Sequence, residues 1–248
     1  MEVLKFSLYL AKFNLKVKYS NSVFGVIWVI INPIVLVLAY SYIFNSGDVT
    51  QLSIKYFIGL IVFLTVNETL INSSSLIVNN AHLIKKIRFN KYIIPVAGCL
   101  QVFLGHIIGI CVVFAYLTYF NLLTIDWNIL YFPLYLLLFF TFSLGLGFLI
   151  SAIGVFGSDL LQFFSSTSIL LLFVSPVFYD CSEVEGVLVY VVNANPITYF
   201  INAFREIVLA DIGFHMSTIA RCAGISVFTL AIGLFTYFRV KDDFVDLI

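Results

Sequence analysis

Long apolar runs recur along this chain and restrict the folds that it can adopt. A bilayer core of about 30 Å is crossed by roughly 20 helical residues, because each adds about 1.5 Å. The runs do not alternate in polarity as the strands of a membrane barrel do. The sequence therefore predicts an all-α integral membrane protein with six transmembrane helices. The predicted spans are residues 24–44, 56–78, 95–120, 129–156, 160–178 and 217–238.

The composition agrees with a chain that is surrounded by lipid. Of 248 residues, 62% are hydrophobic and only 10% are charged, whereas a soluble domain typically has about 25% charged residues. The formal net charge is zero, so no global basic field would attract nucleic acid, and none is expected as a partner. The sequence shows no internal repeat and no low-complexity linker, which predicts a single transmembrane domain over residues 1–248.

The distribution of lysine and arginine predicts the orientation in the membrane. Four of these residues precede the first predicted span, four lie between the second and third spans, and two follow the last span. The loops on the other side of the membrane carry only three. Because positive residues accumulate on the cytoplasmic side, we expect both termini in the cytoplasm.

Three segments outside the predicted spans have patterns of their own. Residues 1–20 are amphipathic, with Lys12 and Lys16 on one face, which predicts a helix in the cytoplasmic interface. An ordinary cytoplasmic tail is the alternative. Residues 79–92 form a short basic loop on the same side. Residues 179–216 hold two apolar pieces too short to cross, which predicts short re-entrant helices between spans five and six. The candidate residues of this outer re-entrant region are Asn195, Pro196 and Arg205.

Several motifs of known catalytic chemistry are absent from the sequence. There is no G-x-x-x-x-G-K-[ST] phosphate loop, so the chain cannot by itself be a P-loop ATPase. No H-E-x-x-H metal motif or G-x-S-x-G nucleophile elbow occurs, and the four cysteines lack zinc or redox spacing. We expect no catalytic residue, metal site or cofactor in this chain.

A polar stripe runs along the second predicted span. Thr65, Glu68, Asn72 and Ser75 follow one another at intervals of three or four residues, so they share one helix face. A carboxylate at the bilayer centre costs about 2.5–3.5 kcal/mol and usually faces the bundle interior or a wet cavity. The stripe is either a wall of the translocation path or a polar seam that specifies helix packing. Proton coupling is a third role, against which the lack of relay partners argues.

Aromatic side chains are the other candidates for the path. Trp28 and Tyr40 lie in the first predicted span, and aromatic rings can stack on sugars. The alternative for any such ring is lipid-facing bulk or an interfacial belt. Small residues at the spacing of close helix packing are Gly105 and Gly109 in the third span and Gly147, Ser151 and Gly154 in the fourth.

Four stretches of the chain carry a family resemblance through their order and spacing. They are LKVKYSNSVFGVIWVIINP at 15–33, NAHLIKKIRFNKYIIPVA at 80–97, the Ser175-Pro176 pair, and NPITYFINAFREIVL at 195–209. In these features the chain resembles the membrane (permease) subunits of polysaccharide ABC exporters, the family of O-antigen, capsule and teichoic-acid export. The family loop often has proline after its phenylalanine, whereas Asn90 stands there in this chain.

The resemblance implies a homodimer that lines a central channel in a prokaryotic cytoplasmic (inner) membrane. It implies two copies of a separate nucleotide-binding ATPase, which would hold ATP and magnesium and dock from the cytoplasm. The implied substrate is a glycan on a polyprenyl diphosphate lipid, moved from the inner to the outer leaflet. The residues expected to couple to the ATPase are Ile84, Lys85, Lys86, Ile87, Arg88 and Phe89 in the loop, with Lys12 and Lys16 in the N-terminal helix.

Other functions remain open beside this leading interpretation. A drug or simple-lipid ABC exporter permease would share the architecture, and a smooth aliphatic channel would favour it. An intramembrane transferase would need a cluster of acids or histidines at one membrane face. A secondary transporter would show inverted repeats with broken helices. The sequence shows neither of these last two features.

Overall fold

The computed structural model describes residues 2–20, 22, 24–28, 31, 34–35, 42, 49–86, 90–119, 127–157, 159–209 and 215–247. Most of the first predicted span, including Tyr40, lies outside the described residues, as do the coupling candidates Ile87, Arg88 and Phe89. The described residues form helices and turns and contain no strand. The prediction of an all-α protein is confirmed.

The α-helices of the described residues are numbered here in chain order. They are α1 (Glu2–Tyr19), α2 (Val49–Asn79), α3 (Ala81–Lys86), α4 (Ile93–Tyr119), α5 (Phe132–Gly154), α6 (Asp159–Val174), α7 (Val187–Ala194), α8 (Pro196–Val208), α9 (Met216–Val240) and α10 (Phe244–Leu247). Short 3-10 helices lie at Gly25–Ile27, Trp127–Tyr131 and Cys181–Glu183.

Four segments of the described chain are long and apolar enough to cross a membrane. They are Lys55–Lys85, Ile93–Cys111, Ile129–Gly154 and Met216–Val240. The pair α7 and α8 would be a fifth span if it is counted as one element, but the two helices meet at an angle of 78°. Helix α6 has 16 residues, or about 24 Å, which falls short of the bilayer core. The residues that the structure describes therefore supply four or five candidate spans, and the count of six stays a prediction.

Glycines allow the helices around α5 to pack closely against it. A Cβ atom on Gly233 of α9 would lie 2.1 Å from the carbonyl oxygen of Gly145, and one on Gly154 would lie 2.2 Å from that of Ser74. A Cβ on Gly147 would lie 2.4 Å from Cys99 Sγ. Helix association in lipid depends on such close packing, because lipid tails are as apolar as the side chains. Helix α5 thus holds α2, α4 and α9 together.

Two further groups of side chains fix the remaining helices. At one end of α9, Tyr237 and Phe244 are fully buried against Ile84 of α3 and Phe148 of α5. Helix α1 lies along α4, where its small buried face contacts the first turns of that helix. This face consists of Leu10 and Ala11, which pack against Ile93 and Ala97. Leu8 and Leu15 are half-buried, whereas Leu4, Phe6, Phe13 and Val17 are exposed.

Candidate translocation and coupling site

Glu68 does not stand alone in the bundle, because two basic side chains reach it from other helices. Lys18, near the end of α1, donates a hydrogen bond from Nζ to Glu68 Oε1. His106 Nε2 lies 3.8 Å from Glu68 Oε2, and His106 Nδ1 lies 3.0 Å from the carbonyl oxygen of Val102. Since a carbonyl can only accept, the contact with Val102 places a proton on Nδ1. The carboxylate is therefore balanced by a cation and faces a histidine.

The packing of α1 on α4 explains how Lys18 reaches the bundle. Ala11 is fully buried near Ala97, and seven residues later α1 has advanced about 10 Å in the direction in which α4 also runs. This brings Lys18 to the level of His106. Partial burial lowers the pKa of the Lys18 ammonium, but attraction and hydrogen bonding to Glu68, with help from Tyr19, outweigh this effect. The pKa is raised, so Lys18 stays charged.

The polar stripe divides between buried and accessible positions. Thr65 is 2% exposed and donates to the Ile61 carbonyl oxygen within its own helix. The amide nitrogen of Asn72 is buried without a hydrogen-bond partner, near Gly98 of α4. Glu68 and Ser75 are half-buried. Asn72 as a whole residue is half-buried like Glu68 and Ser75, so the stripe stays a predicted wall of the path, with a packing seam against α4 as the alternative.

The aromatic candidates of the first predicted span are only partly visible. Trp28 is 40% exposed and its ring packs edge-on against Phe24, with 5.8 Å between the ring centroids. Tyr40 lies outside the described residues. The exposure of Trp28 fits contact with a substrate or with lipid, so its role in the path stays a prediction.

The basic loop of residues 79–92 exposes one of the predicted coupling residues and buries another. Lys85 is exposed on α3, whereas Ile84 is 7% exposed and belongs to the cluster with Tyr237 and Phe244. The side chain of Lys86 lies outside the described set. Ile84 is thus unsuited to direct contact with a partner, because its side chain already fills the core. The hydrophobic periodicity of the loop does not reveal this, since a docking face and a core face look alike in sequence.

The N-terminal helix supplies further exposed basic residues. Lys12 and Lys16 are both exposed, on a helix that forms as predicted from Glu2 to Tyr19. Helix α3 and the end of α9 lie near each other, since Ile84 contacts Phe244 within one cluster. There, Lys241 donates from Nζ to the Tyr92 hydroxyl at 2.8 Å, and the hydroxyl of Tyr237 donates to the Lys91 carbonyl oxygen at 2.8 Å. Lys91 and Lys241 therefore lie close together at the end of the bundle where α3 packs.

At the opposite end, the Asn195-Pro196 pair forms the corner between α7 and α8. The side-chain oxygen of Asn195 accepts from the backbone nitrogen of Ile197 at 3.0 Å, which caps α8. Its amide nitrogen donates to Ser175 Oγ at 3.0 Å. Pro196 is the first residue of α8, where a missing N–H costs nothing. The pair explains why the two short apolar helices bend instead of forming one straight span.

Arg205 holds this corner to the start of α2. It is 2% exposed, and Nη2 donates to the carbonyl oxygens of Val177 at 2.8 Å and Lys55 at 3.3 Å. Nη1 lies 3.8 Å from the carboxylate of Asp180, which also pairs with the Lys55 ammonium. A Cβ on Gly59 would lie 3.2 Å from Nη2, so glycine there leaves room for the guanidinium. The sequence placed Arg205 in this region but did not predict its burial.

Sequence reasoning missed Lys18 and His106 as partners of Glu68. Lys18 belongs to a row of lysines whose other described members are exposed, and His106 follows a glycine in an apolar helix. Neither position signals the contact, because it depends on how α1 and α2 pack on α4. Across the described part of the chain, no group of three or more His, Cys, Asp or Glu side chains could hold a metal ion.

Comparison with known proteins places these features in a family. Residues 7–209 match the family described as ABC-2 type transporter. The chain is 26% identical to the O-antigen export system permease protein RfbA of Klebsiella pneumoniae over 200 residues, which cover 78% of this chain and 76% of the relative. A second protein of that name and organism is 22% identical over 235 residues, covering 92% and 90%. One from Myxococcus xanthus is 24% identical over 200 residues, covering 78% and 76%. Because the family match takes in most of its length, the chain belongs to the ABC-2 type transporter membrane family.

Proposed function

We propose that this chain is the transmembrane subunit of an ATP-driven exporter that moves a lipid-linked, O-antigen-like polysaccharide across the cytoplasmic membrane. The single observation that carries the proposal is the family match over residues 7–209, together with the relatives named as O-antigen export permeases. The apolar spans fit a membrane-embedded subunit. A drug or simple-lipid exporter of the same architecture is the alternative.

The energy for export would come from a separate ATPase that holds ATP and magnesium. This chain has no phosphate loop, yet moving a charged diphosphate through about 30 Å of hydrocarbon requires a driving force. We propose that two ATPase subunits dock on a homodimer of this chain. The exposed Lys85, Lys12 and Lys16 are the described candidates for that contact. The acidic Glu68, half-buried and beside α1, is the candidate through which docking reaches the translocation path.

The proposed function can be tested by reconstitution of the permease with its partner ATPase. Purified permease and ATPase would be placed in vesicles with a polyprenyl diphosphate-linked glycan, and arrival of the glycan in the opposite leaflet would be followed with a lectin. We expect ATP-dependent transfer and a rise in ATPase activity with this substrate. Transfer of a fluorescent phospholipid but not of the glycan would favour the alternative exporter. No transfer of either, with an active ATPase present, would contradict both.

The proposed orientation, with six spans and both termini in the cytoplasm, can be tested by labelling. Cysteine would replace Glu185 or Lys85 in a variant without Cys111 and Cys181, because these native cysteines are exposed or half-buried. An impermeant thiol reagent should label position 185 in intact cells and position 85 only after the membrane is opened. Labelling of position 85 from outside would reverse the orientation and remove the docking argument.

A further inference from the structure

Arg221 is an exposed cation near the start of the apolar helix α9, and no described carboxylate lies within ion-pair distance of it. It is the sixth residue of this 25-residue helix, about 7.5 Å from its first residue. A helix of about 37 Å extends only a few ångströms beyond each face of a 30 Å hydrocarbon core. Arg221 therefore lies near a boundary of the hydrocarbon, where its long side chain can reach the lipid phosphates.

The guanidinium is held in position but keeps its hydrogen-bond donors available. Arg221 Cζ lies 6.0 Å from the centroid of the Tyr199 ring, a cation–π contact. The Tyr199 hydroxyl donates to the carbonyl oxygen of Asn193 at 2.8 Å, which fixes the ring. Arginine presents its N–H groups as a planar fork that matches a phosphate. The guanidinium donates no hydrogen bond to a described residue, so its N–H groups are available to a phosphate.

An open groove of about 510 Å³ lies beside this guanidinium. The corner between α7 and α8 forms one wall through Asn193, Ala194 and Pro196, and α9 forms the other. Gly224 lies in the floor, where no described atom comes within 4 Å of the position that a Cβ would occupy. The small side chains leave space for a headgroup directly next to the cation.

The surface below the groove is suited to an acyl chain. Arg221, Ile225 and Phe228 follow at intervals of four and three residues, and Ile232 and Phe235 continue the same face. Phe228 is 67% exposed, and Phe235 is 63% exposed. A cation at the hydrocarbon boundary thus continues into an exposed apolar ridge along one helix. A phospholipid matches this surface, because its phosphate can pair with the cation and its acyl chain can lie along the ridge.

We propose that the groove between the α7–α8 corner and α9 binds the phosphate of an anionic phospholipid, with Arg221 as its ligand and the α9 ridge along its acyl chain. The assignment to the outer leaflet rests on the proposed orientation of the exporter. Lipid binding itself needs neither ATP nor glycan. A failure of this proposal is therefore distinguishable from a failure of the export function.

The test counts lipids bound to the purified full-length chain by native mass spectrometry, with dioleoylphosphatidylglycerol as the probe. We expect Arg221→Gln and Gly224→Leu each to weaken binding at one site per chain by about tenfold or more, since a charge-assisted bond or the space for the headgroup is lost. Gly224→Leu keeps the cation and fills only open space. The matched control is Lys85→Gln, because Lys85 is an exposed cation on α3 and is not among the residues that line the groove. This control should bind lipid as the unaltered chain does.

Several outcomes would overturn the proposal. Equal loss in Lys85→Gln would mean general attraction of lipid to any cation, and retention in Gly224→Leu would mean that the groove takes no part. Binding of glycerol phosphate as tightly as the lipid, lost in Arg221→Gln, would assign the site to a soluble phosphate. Unchanged lipid binding in Arg221→Gln, whether or not the dimer dissociates, would remove Arg221 as a lipid ligand. Melting temperatures near that of the unaltered chain would verify that the variants fold.

Discussion

Two cations in contrasting surroundings hold helix α2, one near its beginning and one beyond its midpoint. Near its beginning, Arg205 is almost fully buried and donates to backbone carbonyl oxygens of Lys55 and Val177. Closer to its other end, Lys18 reaches Glu68 with side chains that are 40% and 29% exposed. A buried cation whose partners are backbone groups cannot be released without leaving those groups unpaired. A half-exposed ion pair can exchange its partner for water at little cost.

This difference separates a fixed part of the molecule from a part that can move. The Arg205 contact and the glycine packing around α5 join α2, α5, α8 and α9 through backbone atoms. Helix α1 is attached to α4 by the small face of Leu10 and Ala11, and to α2 by the Lys18–Glu68 pair. A force applied to α1 would therefore shift α1 and the Glu68 contact before it disturbed the bundle.

Replacement of Arg205 by methionine should have the largest effect. The change leaves the carbonyl oxygens of Lys55 and Val177 without this donor and Asp180 without one of its cations. We expect a loss of about 3–5 kcal/mol in the free energy of unfolding, because two hydrogen bonds from a charged group are lost and each contributes about 1.5–3 kcal/mol. Denaturation in mixed micelles would measure it, with Arg239→Met as the exposed control. A loss no greater than in the control would mean that the buried Arg205 does not hold α2 more firmly than an exposed cation does.

Substitution of Gly233 by alanine tests the fixed part without any charge. The added Cβ would lie 2.1 Å from the Gly145 carbonyl oxygen, and overpacking of this kind typically costs about 1–3 kcal/mol. Gly105→Ala is the matched control, since no described atom lies within 4 Å of its Cβ position. That control should be neutral or stabilising by up to about 1 kcal/mol, because alanine favours a helix. Unfolding in micelles should rank the two variants in opposite directions, and equal stabilities would mean that α5 and α9 are not closely packed.

Glu68→Gln should separate transport from stability. The ion pair with Lys18 is partly exposed, so its loss should change the free energy of unfolding by about 1 kcal/mol or less. If Glu68 lies in the path or transmits the motion of α1, transport per assembled dimer should fall. Lys18→Met should produce the same transport defect, and the double variant should be no worse than either single one. A stability loss as large as that of Arg205→Met, with transport intact, would identify the pair as a packing contact.

Lys85→Gln should have the smallest effect on stability and a distinct effect on coupling. Lys85 is exposed, and surface substitutions usually stay within about 0.5 kcal/mol. If α3 docks on the ATPase, the stimulation of ATP hydrolysis by the permease should fall while insertion and melting temperature stay unchanged. Ile84→Ala is unsuitable for this purpose, because Ile84 is in the core. Unaltered stimulation would direct attention to Lys12 and Lys16 on α1.

Much of the fold was predictable because lipid imposes a simple requirement on sequence. Backbone groups in hydrocarbon must be paired within the chain, so long apolar runs become helices. The helix over the polar stripe forms from Val49 to Asn79, and the corner at Asn195-Pro196 forms where capping and proline chemistry indicate it. Helix length was less predictable. Helix α6 extends only from Asp159 to Val174, although the apolar run continues to residue 178, because Pro176 cannot continue a helix.

The candidate site was predictable only in part, for a physical reason. Periodicity identifies which residues share one face of a helix, and this placed Thr65, Glu68, Asn72 and Ser75 together. It does not identify the neighbour that this face meets, so it could not show that Asn72 lies near α4 while Glu68 meets Lys18. The same reason explains Ile84, which has the pattern of a docking residue and the position of a core residue.

The sequence by itself determined that this protein is surrounded by lipid, that it is helical, and to which family it belongs. These follow from local quantities: the length of apolar runs, the identity of residues at helix ends, and the order of short motifs. The tertiary structure decided which charges are held and which can be released. That choice depends on burial and on backbone partners from distant segments, such as the carbonyl oxygens around Arg205 and the accessible carboxylate beside Lys18. The free energy of a charge is set by its surroundings, and those exist only after the helices have packed.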